Sequence, residues 1–129
     1  MSRRLFLERI AAIIGIGVAA PMAAAATRRQ TELQRSPVAG FQYHQGEAVW
    51  PALAVGSPVD LMREADNPYD ARAVRVEWQG QKIGYVPRTD NAAISQLLDR
   101  GEPVSAMITA LNTSANPWER IEFAIYLDQ

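Results

Sequence analysis

The chain has 129 residues, 48% of them hydrophobic and 21% charged, with 13 basic and 14 acidic side chains and a formal net charge of −1. These values fit one ordinary globular domain. The sequence has no cysteine and one histidine, His44. That excludes disulfides, thiolate metal sites, a cysteine nucleophile and a histidine-rich metal centre, and it disfavours a Ser-His-Asp arrangement.

The charge is unevenly spread. Residues 1–26 carry Arg3, Arg4 and Arg9 against Glu8, whereas from Pro37 onward there are seven basic and twelve acidic residues, a net of −5. General nucleic-acid binding relies on Lys and Arg neutralising phosphates, and this balance is a poor footprint for it.

Ser2-Arg3-Arg4-Leu5-Phe6-Leu7 opens the chain, an apolar run follows, and Ala24-Ala25-Ala26 ends it. A charged start, an apolar middle and an A-x-A end predict a secretory signal over residues 1–26, cleaved near Ala26. The paired arginines before Phe6-Leu7 resemble a twin-arginine export signal, which implies an exported, periplasmic protein. The alternative is an inner-membrane anchor left uncleaved, the only membrane association expected. Residues 10–26 are at the short edge of what spans a bilayer, and Pro21 weakens that reading. Residues 27–36 are polar without a sustained apolar face and read as a linker.

From residue 37 to 129 the pattern is that of a folded domain. Residues 38–43 are a short β-rich run, and residues 48–55 are apolar but broken by Pro51, giving an edge strand or an irregular crossing. Gly56-Ser57-Pro58 turns the chain into a strand over 59–64. In Asn67-Pro68 the proline fixes its own φ and disfavours helix before it, which starts a turn that Asp66 and Asp70 can brace through local hydrogen bonds. Val74, Val76 and Trp78 then alternate with Arg75 and Glu77, the period of a half-buried strand. Gln79-Gly80 predicts a tight hairpin into residues 81–86. Ile94, Leu97 and Leu98 mark one stripe of a helix of roughly ten residues, with Thr89, Asp90 or Asn91 as cap and Gly101 as stop. Residues 104–111 and 121–127 return to strand, around a polar loop that carries Trp118. The expected class is mainly β (α+β), a compact OB-like or modified β-barrel of about six strands with one or two short helices.

Bland readings compete for several side chains. Asp60, Glu64, Asp66 and Asp70 lack calcium-loop spacing, so they read as turn-bracing carboxylates; no metal or other cofactor is expected. Arg63-Glu64 reads as a surface pair, and His44 as a solvated loop histidine. Tyr69 and Tyr85 are either core aromatics with a hydroxyl at the rim or ligand platforms. Trp50 and Trp78 are expected in the core and Trp118 outside it. No serine has a nucleophile-elbow context, and no phosphate loop of the P-loop form occurs, so ATP hydrolysis is not expected.

Val38-x-Gly40 with Tyr43, then Leu61-x-Arg63-Glu64-x-x-Asn67-Pro68-Tyr69-Asp70-x-x-Ala73-Val74-x-Val76, then Lys82-Ile83-Gly84-Tyr85-Val86-Pro87-Arg88 and Leu97-Leu98-Asp99-x-Gly101, together resemble the HIRAN domain. The resemblance covers residues 37–129. It implies a modified OB-like barrel that captures the free 3′ end of single-stranded DNA; in eukaryotic relatives the domain serves Swi/Snf-type translocases in fork remodelling. Carried over by position, Tyr43 and Tyr69 would stack the last bases and Asp70 would accept a hydrogen bond from the terminal hydroxyl. Asn67 would shape the pocket, Tyr85 would close it, and Trp118 would add an aromatic contact. Arg63, Arg72, Arg75 and Arg88 would form a basic rim. The chain departs from the DNA-binding members at Gln42, where they carry a basic residue. The leading expectation is a non-catalytic, monomeric module that binds a nucleic-acid 3′ end. The alternative is an exported envelope interaction domain for a protein, peptide or glycan, and the third reading is a small metal-dependent hydrolase.

Overall fold

In the third strand Val74 and Val76 are fully buried while Arg75 between them is half-buried, the alternation expected where one face of a sheet covers a core. The computed structural model describes residues 29–129, so the leader expected over residues 1–26 lies outside the described residues. Six antiparallel strands make one sheet: β1 (Gln30–Pro37), β2 (Pro58–Arg63), β3 (Val74–Trp78), β4 (Gln81–Tyr85), β5 (Val104–Leu111) and β6 (Ile121–Asp128), in the spatial order β1-β6-β5-β2-β3-β4. Two helices, α1 (Gly46–Val49) and α2 (Ala92–Asp99), and four 3-10 turns complete the domain. The class is the expected one, mainly β with few short helices.

The sheet bends because β2 changes partner along its length. Pro58 and Val59 pair with Met107 and Ala106 of β5, and residues from Asp60 to Arg63 pair with β3. The far margins then meet at a single point, where Ala39, just beyond β1, forms an antiparallel bridge with Tyr85 of β4 through two backbone hydrogen bonds of 2.9 Å. Gly84 permits that approach: a Cβ there would sit 2.4 Å from the Ala39 carbonyl oxygen. Phe41, Val59, Ile83, Ile108, Phe123 and Ile125 are among the side chains that fill the interior. Trp50 and Trp78 pack against them, and α2 adds Ile94, Leu97 and Leu98, as its apolar stripe predicts. The Gln79-Gly80 hairpin has positive φ at both residues, 46° and 80°, the geometry of a tight primed turn.

Three local expectations need correction. Residues 30–36 are not linker but most of β1, paired along β6 from Gln30 opposite Asp128 to Pro37 opposite Glu122. This edge strand is solvent-exposed over most of its length, with Ser36 its one fully buried residue, so backbone pairing holds it and no apolar alternation advertises it. In residues 38–43, Gly40 turns left-handed at φ 74° and Phe41–Tyr43 forms a 3-10 turn instead of strand. Residues 48–55 run through α1 and a 3-10 turn, Trp50–Ala52, with Pro51 at the start of that turn, where a missing N–H costs little.

Candidate functional site

The Asn67-Pro68-Tyr69-Asp70 turn is built around one side chain. Asn67 Oδ1 accepts the backbone N–H groups of Tyr69 at 2.8 Å and Asp70 at 3.2 Å, while its Nδ2 donates to Glu64 Oε1 at 3.0 Å. Asp70 in turn accepts the Arg72 N–H at 3.0 Å and the Asn91 side-chain amide at 2.8 Å. Arg63 stitches the base of the turn by donating to the carbonyls of Ala71 (3.0 Å) and Ala73 (2.8 Å) and pairing with Asp99 at 2.9 Å. The turn is therefore fixed from within and from behind.

A hollow of about 870 Å³ opens in front of it. Its walls come from the segment after β1 (Gly40, Tyr43, His44), from the turn (Asn67, Tyr69, Asp70) and from the end of β4 and beyond (Tyr85, Arg88), with Glu64 between them. Tyr43 and Tyr69 are 78% and 84% exposed, too open to contribute to the core. Such rings are free to act as stacking platforms. In its wall the Tyr85 hydroxyl accepts from Lys82 Nζ at 2.6 Å and donates to Glu64 at 2.8 Å, while Arg75 reaches the other Glu64 oxygen at 3.1 Å. Lys82 also lies 4.5 Å from the centroid of the Tyr85 ring, and His44 meets that ring edge-on with centroids 5.6 Å apart.

The electrostatics follow from these contacts. For Glu64, burial pushes toward the neutral acid, but Tyr85, Asn67, Lys82 and Arg75 together outweigh it and hold the carboxyl below its ordinary range. Asp70 is also held low, chiefly by the Arg72 backbone N–H, with the Asn91 amide and the Arg88 charge helping against burial. His44 is pushed down, first by burial and then by Lys82. The hollow thus presents the carboxylates of Glu64 and Asp70 with Asp66 beside them, the His44 imidazole, two exposed phenol rings and the exposed guanidinium of Arg88, whose Nε lies 3.8 Å from Asp70.

Of the candidates named from sequence, Tyr43, Asn67, Tyr69, Asp70, Tyr85 and Arg88 line this hollow. Arg63 does not: its guanidinium is spent on the turn and on Asp99, and its side chain is 17% exposed. Trp118 does not line it either. It is 49% exposed on the 3-10 turn Pro117–Glu119, which packs beside the Tyr43 turn. Arg72 stands outside the hollow, and Arg75 lines it but is held between Glu64 and Glu77, so Arg88 is the exposed cation of the basic rim. Sequence reasoning missed His44, Glu64 as the hub of the network, and Asn91. Among the described residues no three His, Asp or Glu side chains come together to hold a metal ion, and no helix is long and apolar enough to cross a membrane.

Comparison with known proteins places this arrangement. The HIRAN domain family matches residues 31–128. The chain belongs to the HIRAN domain family. No curated protein matches the sequence. Among solved structures, a crystal structure of a protein from Lactobacillus plantarum is similar at 27% identity and a TM-score of 0.68, over 79% of this chain and 98% of that one. The HIRAN domain of human HLTF is similar at 19% identity and a TM-score of 0.59, over 77% of this chain and 78% of that one, a likeness of fold. The family match begins at residue 31, inside β1, in keeping with an exposed strand that belongs to the domain. HIRAN domains are binding modules.

Proposed function

We propose that this HIRAN domain is a non-catalytic module that captures the free 3′ end of a single-stranded nucleic acid in the hollow between Tyr43, Tyr69 and Asp70. The observation that supports it best is the state of Asp70. Each of its oxygens already has one donor, from Arg72 or Asn91, which orients the carboxylate and leaves acceptor capacity on both for a sugar hydroxyl. The two open tyrosines flank it as stacking surfaces for terminal bases, a sequence-tolerant contact. A terminal phosphate would bring negative charge against the carboxylates of the hollow, so the arrangement favours a free hydroxyl.

Arg88 is the exposed cation of the hollow. Few phosphates are therefore neutralised, and binding would depend shallowly on salt, with a log–log slope of about −1 where each contact on a single strand gives roughly −0.7.

The test is fluorescence anisotropy of the purified protein with oligonucleotides ending in a 3′-hydroxyl or a 3′-phosphate, at low and moderate salt. Tighter binding of the hydroxyl end, abolished in Asp70→Ala, is expected. A second reading, an exported interaction domain for an envelope protein, peptide or glycan, draws on the twin-arginine-type opening and the net charge of −5 from Pro37 onward. Absence of oligonucleotide binding even at low salt would favour it.

A further inference from the structure

Asn91 is fully buried and stands directly before α2, where a polar side chain ordinarily caps the helix. It makes no such cap. Its carbonyl receives the Ser95 N–H at 2.8 Å as the helix begins, while its side chain turns away and gives Nδ2 to Asp70 Oδ2, also at 2.8 Å. Its Oδ1 is buried and has no partner. An unpaired buried oxygen is a cost to the folded state, which a leucine, branched at the same atom, would avoid. The amide does not serve the helix as a cap; its one side-chain partner is Asp70. The other end of α2 is tied to the same turn, since Asp99 pairs with Arg63, which holds the carbonyls of Ala71 and Ala73.

The geometry points to Asn91 as the positioning residue of the hollow, fixing the Asp70 carboxylate at the angle from which it selects a terminal hydroxyl. Selection rests on the end-capture reading above; the hold on Asp70 does not. Asn91 touches no ligand and acts through Asp70, with α2 as the frame.

The experiment uses the full chain and two variants, Asn91→Leu and Asn91→Asp, with two readouts: the Asp70 carboxyl titration followed by carbon-13 NMR, and the ratio of affinities for 3′-hydroxyl and 3′-phosphate oligonucleotides. Asn91→Leu is expected to stay folded, to let the Asp70 titration rise toward the ordinary aspartate range, and to lose about tenfold in hydroxyl preference, the scale of one hydrogen bond to a charged group. Asn91→Asp keeps the shape but sets a second carboxylate against Asp70, and should raise the titration further. A folded variant with an unchanged Asp70 titration overturns the proposal. Loss of the folded state in both variants overturns it as well, because Asn91 would then hold the domain together rather than the carboxylate. A wild-type protein that treats the two ends alike refutes end capture, and the titration still decides what Asn91 does.

Discussion

The Tyr85 hydroxyl, at the end of β4, donates a 2.8 Å hydrogen bond to Glu64, the residue that follows β2, and so reaches across the strand between them. Lys82 feeds the same hydroxyl from behind. Glu64 gathers four donors or cations, and only 17% of its side chain is exposed. Replacing it with alanine leaves Lys82 partly buried without its counter-charge and Arg75 with Glu77 alone, and should lower stability by about 2 kcal/mol. Tyr85→Phe removes one hydrogen bond and should cost about 1 kcal/mol. Urea unfolding of the two variants measures both, and equal losses would contradict the hub role of Glu64.

Tyr43 and Tyr69 should behave in the opposite way. Both are largely exposed, so Tyr43→Ala and Tyr69→Ala are expected to change stability by no more than about 0.5 kcal/mol. Each should weaken oligonucleotide binding by about tenfold, near the low end of what one base–aromatic stack contributes. Thermal melts and anisotropy titrations on the same samples separate the two effects.

Gly84 and Gly46 test the close packing that shapes the hollow. A Cβ at Gly84 would lie 2.4 Å from the Ala39 carbonyl oxygen, and one at Gly46 would lie 2.4 Å from the Phe41 ring. Gly84→Ala meets backbone at the bridge, where nothing can swing aside, and should destabilise by about 3 kcal/mol. Gly46→Ala should also destabilise, by pressing on the aromatic core residue beneath the Tyr43 turn. Calorimetric melting temperatures report both.

Acid should weaken the fold in two steps. The folded-state shifts of His44, Glu64 and Asp70 are all downward, so the unfolded chain binds more protons at each site and stability falls as pH falls. The His44 contribution is complete above the ordinary histidine value of about 6.5 and is lost as pH drops toward its depressed folded value. Those of Glu64 and Asp70 are complete above the ordinary carboxylate values of about 4 and are lost below them. Melting temperature against pH should show both declines, with the upper one missing in His44→Gln.

The twin-arginine-type opening makes a prediction about location. Changing Arg3 and Arg4 to lysine should retain the protein in the cytoplasm, while the wild type appears in the periplasmic fraction. Immunoblots of fractionated cells expressing a tagged chain decide it.

The sequence carried the interior strands well and the edges poorly. Val74, Val76 and Trp78 announce β3 by alternation, and Ile94, Leu97 and Leu98 announce α2 by spacing, because each buries one face. β1 was hidden because it buries almost nothing and depends on β6 for its hydrogen bonds. The same division holds in the hollow. Tyr69 and Asp70 stand in a contiguous turn motif, whereas the partner that orients Asp70 lies 21 residues on, at Asn91, where a helix cap is the local expectation. The sequence around Arg63 does not reveal its three structural partners, Ala71, Ala73 and Asp99, and His44 carries no pattern at all.

The margins of the sheet touch at Ala39 and Tyr85, and that seam borders the hollow. Two peptide hydrogen bonds there, and the Gln45 N–H on the Lys82 carbonyl at 2.9 Å, join the segment after β1 to β4. Anything lodged between the residue-40 segment and the end of β4 grips both lips of the seam at once, so occupancy should slow amide exchange at Ala39 and Tyr85. In such a molecule, recognition and the fastening of the fold are a single event.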